Sequence, residues 1–194
     1  MPEVLTAEPA QGIIKTPTSR RGAGTPLIDA ARISRRVKRL GKQISSDYAG
    51  IDTALVLLVI LKGATVFAAD LMRSLTIPAE LEFVRAASYG VGTSSNGQRL
   101  RLANMIAGSL VERHVLLVED IVDSGRTAGA VIRTVSKMKP ASLRLAALLD
   151  RPARRSVDVK IDFKGFTIPD RFVIGYGLDY AGLYRELPAI YSLS

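Results

Sequence analysis

The 194-residue chain contains no cysteine and a single histidine. A disulfide framework and a thiolate metal site are therefore excluded, although the redox compartment stays open. One histidine leaves nothing from which to build a histidine triad or a histidine metal cluster, and His114, just before an apolar run, is read as structural. Long hydrophobic runs are missing as well. The longest uninterrupted apolar stretch, 54–61, falls far short of the ~20 residues of a membrane span. The amino terminus has no apolar signal core, so the expectation is a cytoplasmic protein with no membrane partner. Two phosphate-binding signatures are also absent. Gly125 is followed by Arg126 where a Walker-type loop needs Lys and then Ser or Thr, and no Gly-x-Gly-x-x-Gly follows a strand. A nucleoside triphosphatase and a dinucleotide enzyme are thereby disfavoured.

What is present fits one domain with a sizeable core, at 47% hydrophobic and 23% charged residues. A net charge of +9 suits a polyanionic ligand, either nucleic acid or a heavily phosphorylated metabolite. Part of that excess lies in Arg32, Arg35, Arg36, Lys38 and Arg39, beside an apolar helical seam of Ile33, Val37, Leu40 and Ile44. We read this as a solvated basic face. RNA binding is disfavoured there, because no aromatic residue interleaves the cations before Tyr48.

Residues 1–26 are rich in Pro, Thr, Ser, Gly and Arg without a sustained period, and are expected to form a flexible basic tail. The domain, 27–194, then reads helix (28–47), strand (54–60), loop (61–63), helix (64–75) and strand (81–87). A polar stretch over 88–97 has the small-residue composition of an active-site lid, or of an ordinary hairpin loop. Strands are predicted over 115–118, 143–149 and 172–176, with a helix after the first of them. Alternating apolar strands and amphipathic helices predict an α/β fold whose mostly parallel central sheet is flanked by helices. The irregular stretch 152–169 is expected to cover the site as a small hood subdomain. Ligands in such sheets bind beyond the carboxyl ends of the strands, where Lys62, Asp123 and Arg151 all fall. Asp29, Asp47 and Asp52 are read as caps or solvated charges, and Phe163 and Phe166 as packing residues.

The most informative run is 115–127, Val-Leu-Leu-Val-Glu-Asp-Ile-Val-Asp-Ser-Gly-Arg-Thr, an apolar strand followed by acids and a small-residue loop that opens a helix. The helical face is continued by Ala128, Val131, Ile132, Val135 and Met138. Backbone N–H groups of Ser124, Gly125, Arg126 and Thr127 can surround a phosphate at the helix start, while the acids can bind ribose hydroxyls or a hydrated cation. The competing reading makes Asp123 a helix cap and Glu119 and Asp120 surface acids. Three acids at one strand end repel each other unless cations or hydroxyls compensate them, which favours the first reading.

The segment 118–127 resembles the phosphoribosyl pyrophosphate motif of purine phosphoribosyltransferases. Leu61-Lys62-Gly63, Ser88-Tyr89-Gly90, and the stretch 168–180 with Tyr184-Arg185 resemble the hypoxanthine phosphoribosyltransferases, in the same order. The likeness runs from about residue 28 to the carboxyl terminus and implies a type I phosphoribosyltransferase fold. It implies that Ser124, Gly125, Arg126 and Thr127 surround the ribose phosphate, with Glu119 and Asp120 on the ribose diol and its Mg2+. Lys62 and Gly63 would meet the pyrophosphate, in a family where the peptide before that lysine can be cis. Arg185 would bind the same leaving group, Asp179 would sit near a second Mg2+, and Ser88 and Tyr89 would belong to the lid. For the base, Phe172 would lie against the purine ring and the backbone of Val173 would read its edge. The family has lysine as the donor to the exocyclic oxygen, and this chain has Arg151 there, so the choice among hypoxanthine, guanine and xanthine stays open.

The reaction implied is attack of a purine nitrogen on the anomeric carbon of phosphoribosyl pyrophosphate, with Asp123 sharing a proton on the opposite ring nitrogen. The products would be IMP or GMP and pyrophosphate, from a homo-oligomer, dimer or tetramer. The alternative from another class is a regulatory protein of the same fold that senses phosphoribosyl pyrophosphate or nucleotides and binds nucleic acid. Retention of Lys62, Asp179 and Arg185 together favours catalysis, because a sensor could lose them.

Overall fold

The computed structural model describes residues 3–4, 25–85 and 109–193. Its elements are β1 (Glu3–Val4), α1 (Ala30–Asp47), β2 (Leu55–Leu61), α2 (Thr65–Ser74), β3 (Ala79–Arg85), β4 (His114–Val122), α3 (Arg126–Ser136), β5 (Ser142–Asp150), β6 (Phe163–Thr167), β7 (Phe172–Ile174) and β8 (Tyr191–Leu193). The first six strands in space form one sheet in the order β1-β6-β5-β4-β2-β3, and every pairing in it is parallel.

Strand β2 is apolar at every position because helices cover both faces of the sheet. Leu55, Leu57 and Val59 pack with Ile33, Val37, Leu40 and Ile44 of α1 and Phe67 and Leu71 of α2. Val56, Leu58 and Ile60 face the other way, into Ala128, Val131 and Val135 of α3. Asp29 caps α1 by accepting the Arg32 N–H at 2.8 Å, as its position before the apolar seam predicts. Helix α1 then packs closely on α2. A Cβ at Gly41 would stand 2.5 Å from the Ser74 carbonyl oxygen, so only glycine fits that crossing.

The connectivity places the cleft. From β2 the chain moves outward to β3, whereas from β4 it moves outward on the opposite side to β5 and β6, so the winding reverses between β2 and β4. At such a switch point the loops following the two central strands diverge and leave a crevice at their carboxyl ends. Those two loops carry Lys62-Gly63 and residues 123–127.

Several sequence expectations are corrected. Strand β4 continues to Val122 rather than stopping at 118, because Glu119, Ile121 and Val122 stay in register with Ala147, Leu149 and Asp150 of β5. The stretch 152–169 is not the cover of the site. Part of it is β6, a strand of the main sheet, with Phe163 and Phe166 in the core as expected. Residues 172–174 leave the main sheet, and β7 pairs antiparallel with β8 as a separate small sheet that takes the position of the hood. Backbone hydrogen bonds in both directions between Ile28 and Ile190 tie that hood to the start of α1. Most of the amino-terminal tail and the whole lid stretch 88–97, with Ser88 and Tyr89, lie outside the described residues.

Arg36 also departs from the expected solvated face. Its guanidinium is buried against β6, where Nε donates to the Gly165 carbonyl at 2.8 Å and Nη2 donates to that of Lys164. Leaving such buried carbonyls without a donor costs about 1–3 kcal/mol each, so this cation serves the fold. His114 is structural as read, with Nδ1 2.8 Å from Ser142 Oγ and its ring edge-on to Tyr48. Asp47 is an ion-pair partner of Arg144 at 2.9 Å. Among the described residues, no helix is long and apolar enough to cross a membrane.

Candidate active site

The loop after β4 turns into α3 through Gly125, whose φ of 80° is left-handed. A Cβ there would also lie 2.3 Å from the Val157 carbonyl oxygen, so space and backbone conformation both demand glycine. The loop is held from below. Ser124 O accepts from the N–H groups of Ser156 and Val157 at 3.0 and 2.9 Å. Gly125 at the N-cap has no side chain to offer α3, and Ser124 Oγ accepts the Arg126 N–H at 3.3 Å, while the next N–H groups of the first turn have no partner within the helix. Asp123 is therefore not a helix cap. Its carboxylate is paired instead with Arg151, Nε to Oδ1 at 3.0 Å and Nη2 to Oδ2 at 2.6 Å.

Across the switch point, the Leu61–Lys62 peptide is cis, and Lys62 is exposed at the mouth of the cleft. Gly63 is buried against Asp120, and a Cβ at Gly63 would come within 1.6 Å of Asp120 Oδ2. The hood loop closes the third side. A Cβ at Gly177, where φ is 98°, would fall 2.2 Å from the Gly63 carbonyl oxygen, so hood and lysine turn are in close contact. Arg185 holds that loop, donating from Nη1 to the Gly177 carbonyl at 2.6 Å and from Nη2 to Asp179 at 2.6 Å. The structure thus gathers Lys62, Gly63, Asp120, Asp179 and Arg185 in one place.

A cavity of about 200 Å³ opens beside them, lined by Asp120, Ile121, Arg151, Phe172, Val173, Leu178 and Asp179. Phe172 is exposed toward solvent and meets Tyr180 edge-on, with ring centroids 5.8 Å apart. A flat aromatic ligand can slide against that free face. Val173 is buried in the pairing of β7 with β8.

The acids of β4 are only partly compensated. Burial, the neighbouring Asp120 and only partial relief from Arg155 push the Glu119 carboxyl up to about 8, and its Oε2 is buried without a hydrogen-bond partner. Burial also pushes Asp120 up, to about 6, against hydrogen bonds from the Ile121 and Asp120 backbone and the attraction of Arg185. Hydroxyl donors or a hard cation are the groups such a pair lacks. Among the described residues no three acids or histidines converge into a protein-only metal cage. The residues present therefore fit an ion shared between protein, water and substrate oxygens, which is how Mg2+ is usually held.

These shifts have a sign that can be checked. Folded carboxyls with raised values bind protons more tightly than the unfolded chain does, so stability declines as pH rises from the ordinary carboxyl range toward 8. Without substrate or divalent ion, Tm is expected to fall between pH 6 and 8, and Glu119→Gln should remove most of that slope. Parallel melting curves for the two proteins would overturn the assignment.

Sequence reasoning missed the support beneath the loop. Arg155 Nε donates to the Asp123 carbonyl at 3.0 Å, while Nη2 reaches the Val122 carbonyl at 3.1 Å and Asp150 at 2.5 Å; Lys164 completes the charge balance on Asp150 at 2.7 Å. The available signal was a buried-strand acid, Asp150, followed closely by three arginines.

A parallel α/β sheet whose switch point brings a helix-opening glycine loop and a lysine turn together suits a transferase acting on a phosphorylated sugar. The phosphoribosyl transferase domain matches residues 27–181. Hypoxanthine phosphoribosyltransferase of Salmonella typhimurium is 42% identical over 164 residues, covering 84% of this chain and 92% of that protein. A hypoxanthine-guanine phosphoribosyltransferase structure from Bacillus anthracis, with HEPES in the active site, superposes with a TM-score of 0.81 at 38% identity, over 89% of this chain and 99% of that one. A Trypanosoma cruzi hypoxanthine phosphoribosyltransferase in a ternary substrates complex gives 0.82 at 39% identity, over 87% and 94%. The chain belongs to the phosphoribosyltransferase family and, within it, to the hypoxanthine phosphoribosyltransferases, pentosyltransferases of purine salvage. The nucleic-acid-binding regulatory alternative finds no support in these relatives.

Proposed function

We propose that the protein joins hypoxanthine or guanine to phosphoribosyl pyrophosphate, forming IMP or GMP and releasing pyrophosphate. The observation that carries this reading is the cavity walled by Phe172, Val173 and Arg151, which abuts Asp120 and Asp179 at the switch point. A purine bound there lies beside the acids that would hold the ribose, so acceptor and donor meet in one cleft.

In this reading Ser124, Gly125, Arg126 and Thr127 bind the 5-phosphate through backbone N–H groups, which need no reorganisation as the reaction proceeds. Glu119 and Asp120 take the ribose diol. Lys62, the Gly63 backbone and Arg185 grip the pyrophosphate, and the lid with Ser88 and Tyr89 excludes water. Phe172 stacks on the base and the Val173 backbone reads its edge. Asp123 accepts or shares the proton on the ring nitrogen opposite the attacking one. Mg2+, held by Glu119 and Asp120 and at a second place near Asp179, would neutralise charge on the departing pyrophosphate. Orientation and leaving-group stabilisation supply most of the rate, and no covalent intermediate is needed.

Residues 27–194 act in this reading as one cytoplasmic domain that carries 1–26 as a basic tail and assembles as a dimer or tetramer. A solved Trypanosoma cruzi relative, 40% identical, was studied for the role of its C-terminal region in oligomeric state and activity. The test is a panel of hypoxanthine, guanine, xanthine and adenine with phosphoribosyl pyrophosphate and magnesium. Turnover of the first two and little of adenine is expected, since a cationic donor at 151 suits an oxygen and opposes an amino group. Consumption of adenine alone, or of no base, would overturn the reading.

A further inference from the structure

The Arg151–Asp123 contact does more than fill a base-reading position. An arginine has five N–H donors in a rigid fork. Two of them lie along the two oxygens of Asp123, at 3.0 and 2.6 Å, and a third, on Nη1, donates to the Arg171 carbonyl at 2.6 Å. Burial is unequal across the pair: the Arg151 side chain is 7% exposed and that of Asp123 35%. The guanidinium is thus anchored from inside the protein, and the carboxylate edge it does not use is turned outward.

Arg151 also lines the base cavity, and Asp123 stands directly behind it, bonded to its guanidinium. A carboxylate has about four lone-pair sites, of which the fork occupies two, so two remain for a ligand N–H. Lysine, a single point charge on a flexible stem, cannot fix both oxygens in one plane.

We propose that Arg151 is a positioning residue for Asp123: its fork sets the carboxylate plane for taking the base's proton, and its remaining N–H groups face the base itself. One side chain thereby couples base recognition to proton acceptance. The inference rests on the transferase reading above and adds to it a role that a simple reader of the exocyclic oxygen does not have. A reader alone changes base affinity, while a positioning residue changes turnover at saturating base.

The experiment is a double-mutant cycle with Arg151→Lys, Asp123→Asn and the double variant, assayed with hypoxanthine and phosphoribosyl pyrophosphate. Arg151→Gln runs in parallel, so that one variant still decides if the other fails to fold. We expect Arg151→Lys to lower kcat about tenfold with KM for phosphoribosyl pyrophosphate within about twofold, and Arg151→Gln to lower kcat at least as much. In the Asp123→Asn background, Arg151→Lys should cost less than about twofold further, because the carboxylate that it orients is gone. Multiplicative losses in the double variant, or a rise in KM for hypoxanthine with kcat intact, would overturn the proposal while leaving the transferase reading standing. A wild-type protein that transfers to no purine would sink that reading, and the positioning role with it.

Discussion

Asp123→Asn is expected to lower kcat with hypoxanthine by about a hundredfold or more, the range in which a positioned proton acceptor usually contributes. Affinity for phosphoribosyl pyrophosphate should change by less than about twofold, since the loop proposed to bind the 5-phosphate would do so through backbone N–H groups that this substitution leaves in place. The amide keeps the shape of the side chain and one of its acceptor oxygens, so half of the Arg151 fork can persist. Steady-state kinetics with each substrate varied in turn separates the two effects. Unchanged turnover would remove Asp123 from the chemistry.

Gly63→Ala is expected to lower kcat/KM for phosphoribosyl pyrophosphate by about a hundredfold, the cost of misplacing a reacting group by about 1 Å. The added methyl would overlap Asp120 Oδ2 at 1.6 Å, and Asp120 Oδ1 is already committed to the Ile121 N–H at 3.0 Å. Relief can come by rotating the carboxylate away or by pushing the lysine turn outward, where Gly177 closes from the other side. Either response separates the groups proposed to hold ribose and pyrophosphate. Calorimetric binding of phosphoribosyl pyrophosphate, alongside a melting curve, tests this. Near-normal affinity would show that Asp120 and the turn act independently.

The run 115–127 was legible because each of its parts obeys a local rule. Val115 to Val118 are apolar because the sheet is covered on both faces, and Gly125 marks the left-handed turn into α3. The end of β4 was not legible, because Glu119 and Asp120 read as acids just past an apolar strand, whereas register of Glu119, Ile121 and Val122 with β5 carries the strand through them. Strand β6 escaped for a related reason. Lys164 and Gly165 interrupt its apolar pattern, yet Lys164 pairs with Asp150, and a Cβ at Gly165 would approach the Leu148 carbonyl oxygen to 2.2 Å. Arg36 read as part of a solvated face and Arg155 carried no local signal of its own, although both satisfy buried carbonyls whose positions depend on strands distant in sequence.

Short-range pattern by itself determined the alternation of strands and helices and the glycine loop that opens α3, and likeness to a family singled out the lysine turn and the aromatic at Phe172, because each of these rests on residues within a few positions of one another. Tertiary structure alone decided that the lysine turn and the loop after β4 face one crevice, since that follows from the reversal of winding between β2 and β4. It also decided that Arg151 spends its fork on Asp123, a contact across 28 residues that brings a buried cation and a half-exposed carboxylate together. Charge pairing of that kind depends on distance in space and on desolvation, and neither is written in the spacing of residues along the chain.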